Sequence, residues 1–403
     1  MRLLPLIQKA LPDFRWAWRA GAKPAPLPEA ATGRRLKPGL CINGYLRSEI
    51  GLGQSARNLA YACDAQRIPA SFRHLPLENT ENDPEFATKC QVQRDRLANM
   101  LVCGLAAVPE LQEEIAPGRL NILFPFWELP TVPEVLRPVI DRFDQIWCAS
   151  RFIETALRAH TDRPVHLLRQ PVWTPQACPP PRAHRTSLRI LTFFDYTSFV
   201  SRKNPMGAVL AFQAAFAGRV DVELVIKSRG VDTAGTRKAI AALQAKDPRI
   251  TVIDATLGRA EMDALIASCD AFLTLHRAEG FGFGGAEALA RGKAVISTDF
   301  SGTTDFITPE TGFPVAYLRI SERPDSDFTK SRTAVSVSPG QFGDGWSLVC
   351  CHASSVKISG FSVGVNPGFL FFRRMLSPFS SMRWALWMMR SRMASAIVGS
   401  PII

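Results

Sequence analysis

The sequence predicts an α/β protein of two Rossmann-like parallel-sheet domains facing a cleft, followed by an irregular C-terminal tail. Three observations carry that expectation. Short apolar, β-rich runs alternate with helix-period runs through residues 187–320, the pattern of strands buried on both faces of a parallel sheet. Near the start, the run Gly39–Gly44, a turn holding Gly51 and Gly53, and a helix-like run from Gln54 to Gln66 set out a strand–turn–helix order. Between these regions, Pro171-Val-Trp-Thr-Pro-Gln-Ala-Cys-Pro-Pro-Pro-Arg182 suits neither helix nor interior strand, because proline fixes φ and removes a donor.

The expected organisation is therefore an N-terminal extension over 1–38, a first domain over 39–172, a proline-rich linker over 173–186, a second domain over 187–320 and an aberrant tail over 321–403. Within the first domain, strands are expected at Met100–Leu105, Leu120–Phe126, Asp144–Ala149 and Val165–Arg169, with a helix from Arg151 to Ala159. The second domain alternates cleanly. Strands are expected at Leu188–Phe194, Val222–Lys227, Ile250–Asp254, Ala271–Leu275 and Ala294–Thr298. Helices are expected at Pro205–Phe216, Asp232–Ala245, Ala260–Ser268 and Gly284–Arg291.

Composition narrows the function classes. The 403 residues are 46% apolar and 21% charged, an ordinary globular balance that argues against disorder across the whole chain. The net charge of +12 favours partners that carry phosphate: nucleotides, anionic lipid surfaces or nucleic acid. Nucleic acid drops out because no recognisable binding module accompanies the charge. Nine cysteines are scattered without a C-x-x-C pair, so neither a zinc site nor a disulfide scaffold is expected, and the thiols suit a cytoplasmic protein. No run of about 18 apolar residues is present for a spanning helix. The first residues carry interspersed charges with Pro5 and Pro12, unlike a signal peptide. They read as a frayed tail, or alternatively as a basic interfacial segment anchored by Trp16 and Trp18. Peripheral contact with the anionic inner face of a membrane thus stays open.

The densest chemical signal is Leu275-His-Arg-Ala-Glu-Gly-Phe-Gly-Phe-Gly-Gly-Ala-Glu287. It begins at the carboxyl end of an expected strand, where open α/β sheets bind ligands. Gly280, Gly282, Gly284 and Gly285 let backbone approach a ligand and begin a helix with bare N–H groups. Glu279 falls in the turn and Glu287 about one turn into the helix, where carboxylates suit sugar hydroxyls. A purely structural strand-to-helix turn is the competing explanation. The coincidence of glycines, spacing and strand end favours a site.

This run resembles the donor-site motif of glycosyltransferase family 4, the group 1 glycosyltransferases, in which seven residues separate two glutamates, as they do Glu279 and Glu287. Flanking segments are similar too: Cys269–Arg277 before it, and Gly292–Gly302 with Asp305 after it. So are Phe193–Pro205, Val225–Lys227, Phe126–Pro130 and Phe143–Phe152. The resemblance covers about residues 39–317 and implies the GT-B arrangement, with an N-terminal acceptor domain and a C-terminal nucleotide-sugar domain. It implies transfer of a hexose, with retention, from a nucleotide-sugar donor to a glycan or lipid-linked acceptor, without metal or cofactor. The leaving phosphate itself would take the acceptor's proton. By this resemblance Glu279, His276, Lys203 and Lys227 form the catalytic group, with His276 lining the site rather than serving as base. Arg202, Gly280, Phe281, Gly282, Phe283, Gly284 and Glu287 would bind the donor, and Glu287 would hold its ribose; Gly51 and Gly53 join the donor-binding set from the strand–turn–helix order, which a tight turn explains equally well. Fixed cations at Lys203, Lys227 and Arg202 would lower the barrier as diphosphate charge develops.

The likeness stops near Leu318. From Gly345 to Ile403 there is no Asp or Glu, and helix periodicity fades. The expectation is a tail out of frame or degenerated from about that residue. The alternative is a genuine basic, aromatic membrane-binding tail, with Arg373-Arg374 and Arg383–Trp387 at the interface. Hence a second reading of the whole chain: a truncated, catalytically impaired relative that binds nucleotide sugar or a partner without turnover.

Overall fold

A computed structural model gives the structure of residues 36–77, 83–90, 95–173 and 187–317. The expected N-terminal extension, proline-rich linker and C-terminal tail lie almost wholly outside these described residues. The chain divides into two compact units, with the break between Trp173 and Thr174.

In the first unit, β1 (Lys37–Gly44), β2 (Ala70–His74), β3 (Arg96–Gly104), β4 (Leu120–Phe126), β5 (Gln145–Cys148) and β6 (Val165–Leu167) form a parallel sheet of order β2-β1-β3-β4-β5-β6. Helices α1 (Gly51–Ala65), α2 (Pro84–Lys89), α3 (Arg137–Ile140) and α4 (Arg151–Arg158) connect them. Central strands are buried along most of their length because both faces are covered, as in the six consecutive buried residues of β4. One polar feature crosses this sheet. Asn43 Nδ2 donates to Asn99 Oδ1 at 2.8 Å, and Asn99 Nδ2 to Asn121 Oδ1 at 3.0 Å. A buried amide chain satisfied at each link pins the register of β1, β3 and β4, since a slip would strand buried polar groups.

In the second unit, β7 (Leu188–Phe193), β8 (Val222–Ser228), β9 (Ile250–Asp254), β10 (Ala271–Thr274), β11 (Ala294–Thr298) and β12 (Phe313–Val315) form a parallel sheet of order β9-β8-β7-β10-β11-β12. Between them run α5 (Val200–Lys203), α6 (Pro205–Ala215), α7 (Thr236–Gln244), α8 (Arg259–Ala267) and α9 (Phe283–Ala290). Alternation along the strands splits two cores. Ile190, Leu224, Ile226, Leu273 and Ile296 face Val209, Phe212 and Phe216 of the α6 layer. Leu191, Val225, Phe272 and Val295 face Leu265 and Ile266 of α8 and Ala288 and Leu289 of α9.

The α/β class with two Rossmann-like parallel sheets is thus observed. Most expected elements are present with ends moved by a few residues, and α7 starts at Thr236 rather than Asp232. Asp232 instead accepts from the amides of Ala234 and Arg237, which makes a turn before Gly235 at φ +73°. Five elements were not expected: β2, β12, α2 and the four-residue helices α3 and α5. β2 is five residues long, β12 holds Pro314 and survives at the sheet edge, and α2 is a single short helix. The signal for α2 is Asp83-Pro84: the carboxylate accepts from Phe86 N at 3.0 Å, and proline occupies the first turn. None of the six described cysteines forms a disulfide, and burial pushes the Cys103 thiol up to about 12. Among the described residues no helix is long and apolar enough to cross a membrane.

Candidate active site

Sheet order locates the site. In the second unit the chain runs from β7 outward to β8 and β9, then returns to β10 on the opposite side of β7. The connections after β7 and β10 therefore diverge, leaving a crevice at the carboxyl ends of these two strands. The residues leaving both strands are tied together there. Asn204, in the left-handed region at φ +51°, donates through Nδ2 to Leu275 O at 2.8 Å. Arg277 N donates to Arg202 O at 2.8 Å. A Cβ at Gly207 would lie 2.4 Å from Asn204 Nδ2, so the missing side chain leaves room for that tie.

These ties bring Arg202 and Lys203, at the end of α5, against Glu279. Lys203 Nζ lies 2.5 Å from Glu279 Oε1, and Arg202 Nη1 lies 3.3 Å from Oε2. Arg202 also donates to Ala278 O and Ser198 Oγ, each at 3.1 Å, so its guanidinium is fixed in direction. Burial works against the Glu279 carboxylate, yet Lys203 and Arg202 outweigh it and hold the group at about 2, ionised at any physiological pH.

The backbone of Glu279 is held from the turn that follows β11. Its N–H donates to Ser301 Oγ at 2.8 Å, and its carbonyl accepts from Gly302 N at 2.8 Å. Ser301 takes a left-handed φ of +68° to do this. A Cβ on Gly302 would meet Gly280 O at 2.1 Å, backbone against backbone. Gly302→Ala is accordingly expected to cost about 1–3 kcal/mol in urea unfolding, because the Glu279 turn must shift to admit the methyl. A loss below a few tenths would show that the contact is soft.

His276 is fully buried beneath this turn. Its Nε2 lies 3.1 Å from Thr303 Oγ1 and 3.2 Å from Ser297 Oγ. Thr303 Oγ1 also donates to Phe300 O at 3.1 Å. Burial, aided by Lys203 and Arg202 and opposed by Glu279, pushes the imidazole down to about 4. It is neutral near pH 7.

Helix α9 opens the other wall. Its N-cap is Gly282, with φ +92° and no side chain to cap, and the first intrahelical bond runs from Ala286 N to Gly282 O. The preceding amides form an electropositive helix start suited to an anion. Gly284 has a packing reason of its own: a Cβ there would lie 2.5 Å from Phe272 Cζ and 3.0 Å from Phe193 Cζ. Phe281 is buried against Phe283 and Phe306, with centroids 5.1 and 5.2 Å apart. Glu287 is buried on α9, with Oε1 2.6 Å from Arg259 Nη1.

Of the residues proposed from sequence, Glu279, Lys203, Arg202 and His276 form one cluster. Lys227 sits on β8, the strand beside β7, as a buried residue whose carbonyl accepts from Phe194 N. Gly51 and Gly53 belong to the first unit. A Cβ on Gly53 would lie 2.2 Å from Ser48 O, so it closes the turn before α1, while nothing crowds Gly51. Sequence reasoning passed over Asn204, Ser301, Gly302, Thr303 and Arg259. Only Asn204, before a proline at the start of a helix, carries a local signal. Among the described residues no group of three or more His, Cys, Asp or Glu is placed to hold a metal ion.

Residues 190–316 match the family described as glycosyl transferases group 1, a span that runs from within β7 to just past β12. No curated protein is significantly similar in sequence. Among solved structures, HepE of Anabaena in complex with UDP-glucose is 14% identical, with a TM-score of 0.50 over 69% of this chain and 85% of its own. That likeness is one of fold. TarM of S. aureus is 11% identical, with a TM-score of 0.44 over 54% of this chain. The pneumococcal O-GlcNAc transferase GtfA, in complex with UDP and GlcNAc, is 17% identical, with a TM-score of 0.43 over 54% of this chain. The chain spans less than half the length of TarM and GtfA, 44% and 45%.

Proposed function

From a second unit that matches the group 1 glycosyltransferases, we propose that the chain is a retaining hexosyltransferase using a nucleotide-sugar donor. The observation that carries this is the Glu279 carboxylate, gripped by Lys203 and Arg202 beside the start of α9, whose N-cap Gly282 has no side chain. The donor diphosphate meets the α9 amides and these two cations, with Lys227 on β8 paired with Phe193 of β7. Glu279 accepts from hydroxyls of the transferred sugar, and Glu287 from the ribose. As the anomeric carbon–oxygen bond breaks, charge grows on the departing phosphate, where fixed donors act most strongly. The acceptor hydroxyl, from a glycan or lipid-linked sugar, forms the new bond on the same face and passes its proton to that phosphate. His276, neutral and buried, orients the turn instead of moving the proton. No cofactor enters this scheme.

A second reading rests on one sequence observation, the absence of acidic residues from Gly345 onward. In that reading the donor binds without turnover.

Thermal unfolding with UDP-, GDP- and ADP-sugars, beside Glu287→Ala, separates them. A ligand at about 100 times its Kd adds about 2.7 kcal/mol to folding stability. One nucleotide class should raise the melting temperature of the wild type and not of the variant. Raised stability without release of nucleoside diphosphate supports the second reading. No shift with any donor sinks both.

A further inference from the structure

We infer that Arg259 is a positioning residue for nucleotide recognition, holding the Glu287 carboxylate at the angle at which it takes the ribose diol. The inference rests on the proposed donor site and goes beyond it, because Arg259 lies outside the glutamate-and-glycine run.

Arg259 and Asp263 on α8, Glu287 on α9 and Arg291 at the C-cap of α9 make one chain of contacts. Arg291 Nη2 meets Asp263 Oδ1, and Asp263 Oδ1 also takes both Nη2 and Nε of Arg259. Arg259 Nη1 then donates to Glu287 Oε1 at 2.6 Å. Arg291 closes the loop by donating from Nη1 to Glu287 O at 2.9 Å. The acceptor at the end of this chain is thus fixed in both backbone and side chain. Only one Glu287 oxygen is used, and no described residue donates to Oε2.

Local forces alone would not place arginine here. Arg259 is the first residue of α8, where the partial positive charge of the helix start disfavours a cation. The start is already capped, since Gly258 N donates to Glu261 Oε2 at 2.8 Å. Burial also disfavours the charged guanidinium, but Glu287 and Asp263 more than restore it. Arg259 is therefore held by its tertiary partners, through a planar fork that aims a carboxylate as a lysine's point charge would not. Glu287 Oε1 stays with the guanidinium while Oε2 accepts from the ribose.

The test uses the full chain, with UDP, GDP and ADP, the 2′,3′-dideoxy counterpart of whichever binds most tightly, and inorganic pyrophosphate. The wild type should prefer the ribonucleotide over its dideoxy counterpart by about tenfold or more, the size of a charge-assisted hydrogen bond. In Arg259→Ala that preference should collapse toward one, while pyrophosphate affinity holds. Arg259→Lys should restore only part of it. Arg259→Ala/Glu287→Ala should be no worse than Glu287→Ala alone. If Arg259→Ala does not fold, Asp263→Asn carries the same test, with a smaller loss of preference expected.

A ribose preference intact in Arg259→Ala but lost in Glu287→Ala overturns the inference and leaves the donor site standing. An equal loss of pyrophosphate binding also overturns it, because it makes Arg259 a phosphate ligand. Binding of none of the three nucleotides by the wild type overturns the donor site, and this inference with it.

Discussion

Replacing Lys203 by alanine is expected to lower release of nucleoside diphosphate from the nucleotide sugar by about 10²–10³-fold, mostly in kcat. Lys203 is held by Glu279 at 2.5 Å before any substrate arrives, so its charge is already oriented when the phosphate begins to leave. A donor fixed in advance stabilises the developing charge without reorganising at the moment of reaction. Removing it also leaves Glu279 with Arg202 alone, through a looser 3.3 Å contact. Ground-state binding should change less than turnover, because the charge on the departing oxygen grows only as the bond breaks. Steady-state rates on the donor, with melting curves to show that the variant is folded, decide this. A folded Lys203→Ala protein with unchanged kcat would remove Lys203 from the chemistry.

Acid should destabilise the second unit through His276 well before the carboxylates titrate. In the folded protein its imidazole sits at about 4, against about 6.5 for an unfolded histidine. Between those values the unfolded chain binds a proton that the folded chain does not. Stability therefore falls as pH drops from about 6.5 to about 4, by a total of roughly 3 kcal/mol. Glu279 acts in a separate window. Its depressed folded value of about 2 contributes stability above about 4.5, lost as pH falls from there toward 2. Urea unfolding at pH 7 and pH 4.5 isolates the histidine. His276→Asn should be less stable than wild type at pH 7 but lose far less between the two. Equal losses in both proteins would assign the acid sensitivity elsewhere.

The amino-acid sequence alone determined the strand and helix alternation of both units, the glycine turn after β10 and the two glutamates. Each rests on local rules: period two or period 3.6, a glycine where the chain turns, a strand end followed by a helix start. Short elements escaped those rules, as β12 shows with a proline in three residues that only its place at a sheet edge tolerates. What the tertiary structure decided is which charges meet. Lys203 and Glu279 are 76 residues apart, and Arg259 and Glu287 are 28 apart. Linear separation says nothing about either distance. The meeting of the first pair follows from strand order, since β10 lies beside β7 only because the chain doubles back across it. That of the second follows from α8 and α9 sharing one face of the sheet. The environment these meetings create, an ionised buried carboxylate above a neutral buried imidazole, depends on desolvation and neighbouring charge, and both arise only when distant segments pack.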